Sequence, residues 1–190
     1  MEQHFVVGAA YLLAAVFLIA CATKLRSRSG FRLFVTTTGK LTKLSEPVAR
    51  WVAAGVLVCE ATIALLLALP ATARLGFFLA GALLSVFIGA VYRAVRGGVF
   101  AECGCFGDRS AMLSYPLLAR NALLLLVALP GMIVGAGPEG FGYPHSVVAA
   151  AAGVLVAIGF VHYYDDLSTK VLLRMQRRAA AEPSRPAAPR

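Results

Sequence analysis

Two cysteines separated by one glycine, Cys103-Gly104-Cys105, are the part of this chain best equipped for chemistry. They sit in the stretch Glu102-Cys103-Gly104-Cys105-Phe106-Gly107-Asp108, in the most polar part of the middle of the chain. Thiols at this spacing can join only through a small ring, and Gly104 gives the backbone the freedom such a ring needs. A ring of this kind departs from relaxed disulfide geometry, and strained, exposed disulfides are the labile, oxidising ones. Arg93, Arg96 and Arg109 lie nearby in sequence and would favour the thiolate. The leading expectation is a redox-active dithiol. Two other readings stay open. The pair could be reduced and structural in a glycine-rich turn, or it could bind a soft metal through its thiolates. No histidine-rich or second CxC element completes a metal site, so no metal ligands are assigned.

The remaining two cysteines and a few polar residues lie within apolar runs. Cys21 falls near the end of the first run, and Cys59 lies deeper in the second, beside Glu60. At the helical rise, Cys59 is about 12 Å and Cys21 about 5 Å from the inner ends of their helices. Bridged cysteines need close Cα atoms, so these two are not expected to pair. Each is either a relay partner for the loop pair or a small packing residue. Glu60 is the sole charge in its run and falls near the bilayer midplane. A carboxylate there must face the bundle interior, with Lys24, Arg120 and Asn121 as polar partners. It could handle protons, with Arg120, during dithiol chemistry or hold a small molecule; alternatively it makes an interhelical hydrogen bond as a neutral acid. His4, His145 and His162 are scattered, and none is assigned a role.

The elements that must position these residues are transmembrane helices. Of the 190 residues, 59% are hydrophobic and 14% charged, too apolar a mixture for a water-facing surface. A membrane-spanning helix takes about 20 apolar residues. Five runs qualify: Phe5 to Thr23, Trp51 to Leu69, Leu75 to Tyr92, Leu117 to Ala136 and Ser146 to Tyr164. The fourth carries Arg120 and Asn121 inside its start and is interrupted by Pro130-Gly131; the fifth ends on the interfacial pair Tyr163-Tyr164. The expected fold class is therefore all-α, a polytopic transmembrane bundle of about five helices.

Net charge is +9, but the basic residues lie between apolar runs rather than on one folded patch, which argues against nucleic acid as a partner. They read instead as topology signals and contacts for the lipid bilayer. The segments Lys24 to Arg50, Arg93 to Pro116 and the C-terminal tail hold sixteen Lys and Arg, while the opposite connections hold only Arg74. This asymmetry places the N-terminus outside and the C-terminus, with the Cys103/Cys105 loop, in the cytoplasm of a multi-pass inner-membrane protein. The start of the chain lacks a basic n-region and a cleavage site, so the first run is expected to stay. The stretch Phe31 to Leu44 mixes aromatic, aliphatic and basic residues, and reads either as an amphipathic segment on the inner membrane surface or as an irregular loop. Residues 1–166 form the expected membrane domain. Residues 167–190 form a basic tail, rich in Ala and Pro and expected to be disordered at its end.

Several of these residues coincide with one pattern. Cys21-Ala22-Thr23-Lys24-Leu25, Glu46-Pro47 ahead of a helix bearing Glu60, Cys103-Gly104-Cys105-Phe106-Gly107, and Arg120-Asn121-Ala122-Leu123-Leu124 together resemble the MauE family. That family is related to DoxX-type redox-associated membrane proteins, and the resemblance implies a four-helix DoxX-like core. It further implies a part in methylamine utilisation: maturation of the disulfide-rich small subunit of methylamine dehydrogenase, alongside a thioredoxin-like partner, MauD. The DoxX relatives imply electron exchange with quinone; no other cofactor is indicated. Carried over, Cys103 and Cys105 match the redox pair, and Lys24, Glu60, Arg120 and Asn121 match polar helix positions. The competing class is a non-enzymatic assembly factor, or a transporter of metal or a small molecule, in which the CxC is structural or metal-binding. The implied client is periplasmic, whereas the charge rule places the cysteine pair inside. Either the loop dips into the membrane, or the pair takes electrons from a cytoplasmic thiol donor and passes them outward.

Overall fold

In the computed structural model the described residues are 2–96, 115–134, 147–148, 151–159 and 163, and they are helical nearly throughout. Helix α1 spans Glu2–Leu25, α2 Arg28–Thr42, α3 Glu46–Ala68, α4 Ala73–Arg96 and α5 Tyr115–Val134; a single 3-10 turn, Pro70–Thr72, joins α3 to α4. Three stretches are long and apolar enough to cross a membrane: Phe5–Leu25, Glu46–Ala68 and Pro70–Ala94. The apolar part of α5, Leu118–Val134, lies at the short end of the spanning range. The expected fifth run is described only in part, and is helical at 151–159. Together these define an all-α membrane helix bundle.

The helices are apolar both inside and out. Leu13 and Phe17 of α1, Ile63 and Leu67 of α3, Phe77 and Leu84 of α4, Leu124 and Ala128 of α5, and Ala157 share one core. Meanwhile Leu18, Val58, Leu65, Val86, Leu126 and Ile133 point outward. Water would penalise so much exposed apolar surface, whereas lipid does not. The polar residues behave in the opposite way, since Lys24, Glu60, Arg120 and Asn121 are all buried.

The basic stretch after α1 is an amphipathic helix rather than an irregular loop. Ser27 caps α2 by accepting a hydrogen bond from the Gly30 amide at 3.0 Å, and Lys43 closes it in the left-handed conformation at φ 56°. Phe34, Val35, Thr37 and Thr38 form its buried face, and Phe34 and Val35 pack with Ala49 and Ala53 of α3. The body of α1 packs against the second half of α3, so α2 covers the first half that α1 does not reach.

Two sequence expectations change. The second span begins at Glu46 rather than Trp51, with Ser45 and Pro47 marking its start. The fourth is not interrupted at Pro130-Gly131, because α5 runs through Pro130 to Val134. Proline removes one helical hydrogen bond, but packing on a neighbouring helix can keep the segment helical through it. Here Gly131 lies directly against the ring of Phe77 on α4. A similar close approach occurs at Gly153, which meets the backbone of Gly8 on α1, as small residues allow between membrane helices.

Candidate functional site

The last turn of α1 and the middle of α3 meet at a buried ion pair between Lys24 and Glu60. Lys24 Nζ donates to Glu60 Oε1, and the two residues are 1% and 2% exposed. Lys24 sits in the last turn of its helix, where a cation complements the helix dipole. Its ammonium also lies 4.6 Å from the centroid of the Phe34 ring, a cation–π contact supplied by α2. Three elements thus converge on one lysine. Lys24 is thus the polar partner the sequence offered Glu60, and its charge, counted with the inner connection, faces the interior because an intramembrane carboxylate needs a cation nearby. The other basic residues of that connection keep the charge asymmetry strong without it.

Above the pair lies a cavity of about 140 Å³. Phe17 and Ala20 of α1, Phe34 and Thr38 of α2, Val56 and Glu60 of α3, Phe87 and Ala90 of α4, and Asn121 of α5 help to line it. Its polar groups are few. The Thr38 hydroxyl donates to the Phe34 carbonyl at 2.8 Å, and the Thr42 hydroxyl donates to the Thr38 carbonyl at 2.6 Å, so both are satisfied within their own helix. Glu60 Oε2 is buried and has no hydrogen-bond partner among the described residues.

The structure therefore brings Lys24, Glu60 and Asn121 to one chamber. Arg120 is buried at 2% exposure on α5 but does not line that chamber. Cys21 is buried one turn before Lys24, in keeping with a packing residue, whereas Cys59 turns outward from α3; both are free thiols. Cys59 is therefore not part of the buried core among the described residues. Cys103 and Cys105 lie outside the described residues, as do His4's side chain, His145 and His162. Sequence reasoning missed the contribution of Phe34 and of the α2 threonines. The signal available was the aromatic and aliphatic face of Phe31 to Val35, which a basic loop does not need.

An integral membrane bundle with charged groups turned inward is the class these features define. The family model described as methylamine utilisation protein MauE matches residues 2–134, from α1 through α5, and the chain belongs to that family. No curated protein and no solved structure matches the chain.

Proposed function

We propose that this MauE-family membrane protein is a thiol–disulfide relay built on Cys103 and Cys105. The observation that carries the reading is the Cys103-Gly104-Cys105 sequence within a chain of this family. The Cys103–Cys105 disulfide is attacked by a client thiolate, passes through a mixed disulfide, and leaves as a dithiol while the client's two sulfurs join. Two electrons and two protons move from client to relay. Exchange with the disulfide of a thioredoxin-fold partner, which is reduced in turn, returns the pair to its oxidised state. The client class is a disulfide-rich secreted subunit such as the small subunit of methylamine dehydrogenase, which a loop on the cytoplasmic side reaches only by dipping into the membrane. Glu60 and Arg120 are the groups assigned to protonation and tuning.

Replacing Cys103 and Cys105 together with serine should leave the client's cysteines reduced, read as the mass added by a thiol-alkylating reagent. Replacing Cys21 and Cys59 should leave the client oxidised. An unchanged client in the Cys103/Cys105 variant would rule out the relay.

The protein is placed in the inner (plasma) membrane with several crossings, the N-terminus outside, and the C-terminus and cysteine loop in the cytoplasm. The excess of Lys and Arg on one side supports this orientation. With Cys21 and Cys59 changed to serine, a membrane-impermeant maleimide should label Cys103 and Cys105 only after lysis. Rapid labelling on intact cells would reverse the orientation.

A further inference from the structure

The chamber over the Lys24–Glu60 pair has a chemical character independent of the thiol relay. Its walls are mainly aliphatic and aromatic, and they include Glu60, whose buried Oε2 has no partner among the described residues. Lys24 Nζ donates to Oε1, and the hydroxyls of Thr38 and Thr42 donate to carbonyls of α2, while Asn121 also lines the chamber. A buried acceptor left unmade is costly, and more so when charged.

Size and access narrow the occupant further. An apolar cavity of about 150 Å³ accommodates benzene, so one of 140 Å³ suits a molecule of about one ring. Val52 and Val86 line the cavity yet are 37% and 67% exposed on the outer face of the bundle. The chamber therefore reaches the outer surface of the bundle at α3 and α4, as well as at exposed Thr42 at the end of α2.

We propose that this cavity binds a lipid-dissolved molecule of about one-ring size that carries a hydroxyl group, an alcohol or phenol, whose O–H donates to Glu60 Oε2. The apolar walls take the ring, and the free carboxylate oxygen selects the hydroxyl. Phe34 and Phe87 supply aromatic surface for the ring.

The test uses the full chain in detergent micelles with 4-fluorophenol as probe and 4-fluorotoluene, which has a methyl group in place of the hydroxyl, as comparison, both followed by fluorine NMR. Saturable binding of 4-fluorophenol is expected, with 4-fluorotoluene weaker by about tenfold or more, as a hydrogen bond to a charged group implies. Ala90→Leu fills the chamber and should weaken 4-fluorophenol binding by a similar factor at unchanged helix content. Val86→Phe narrows the lipid-facing mouth without touching the core, and gives the same reading should Ala90→Leu fail to fold. Equal binding of the two probes would overturn the role of Glu60. Binding that survives both substitutions would overturn the location, and absence of saturable binding would overturn the site altogether.

Discussion

Lys24→Met is expected to cost this protein about 3–5 kcal/mol of stability, the range for removing one partner of a buried ion pair. The geometry explains the size. Lys24 and Glu60 are almost wholly buried, and Lys24 Nζ is the cation that Glu60 Oε1 accepts from. With the ammonium gone, both carboxylate oxygens would lie in a largely apolar interior without the cation that offsets their lost hydration. The Phe34 ring would lose its cation as well, loosening α2 from the end of α1. Glu60→Gln should fall in the same direction but by less, since the amide keeps an acceptor for Lys24.

The diagnostic variant is the double one. Changing Lys24 and Glu60 together to methionine removes both desolvated charges, and such apolar replacements are often neutral or stabilising. The double variant should therefore recover most of what Lys24→Met loses, giving a coupling well beyond the few tenths of a kcal/mol of independent sites. Thermal unfolding in detergent, followed by loss of helical circular dichroism, measures all four corners of the cycle. Additive losses would mean that the pair does not hold α1 to α3. Recovered stability without recovered client oxidation would separate a functional Glu60 from a structural one.

The second large effect is steric. Gly131→Val should destabilise the bundle by about 1–3 kcal/mol, the usual cost of overpacking a filled core. A Cβ at position 131 would fall among the ring atoms Cδ2, Cε2 and Cζ of Phe77. Phe77 cannot swing aside, because it is 0% exposed and enclosed by the main core. The helices would have to separate, and α5 at this level already lacks the hydrogen bond that Pro130 removes. Shortening the opposing ring should relieve the strain. Gly131→Ala combined with Phe77→Leu is expected to be more stable than the sum of its single changes, by about 0.5–3 kcal/mol for contacting residues. Thermal unfolding of the two singles and the double checks this, and strict additivity would show that Gly131 and Phe77 do not press on each other.

Hydrophobicity along the chain was enough to determine the class of this protein and the approximate extents of its long helices. A run of about 20 apolar residues has no stable alternative to a helix in lipid, whatever its neighbours are. The same cost argument made Glu60 an inward-facing residue, because a charge facing lipid is too expensive. The resemblance carried by Lys24, Glu60, Cys103, Cys105, Arg120 and Asn121 also pointed to the family that the match over residues 2–134 establishes.

Tertiary packing decided which face of each helix is the inside. In a soluble helix the apolar stripe marks the core, but these helices are apolar all round, so periodicity does not distinguish core from lipid. That is why Cys21 and Cys59 could not be told apart by type, although one is buried and the other turned outward. For Lys24 the sequence offered two roles, a charge of the inner connection and a partner for Glu60, and the fold chose the second. A lysine at a helix end can extend to the membrane surface or turn inward, and the choice rests on a carboxylate 36 residues away and an aromatic ring on a separate helix. The chamber beside them belongs to no single segment, because its walls come from five helices that only the fold brings together.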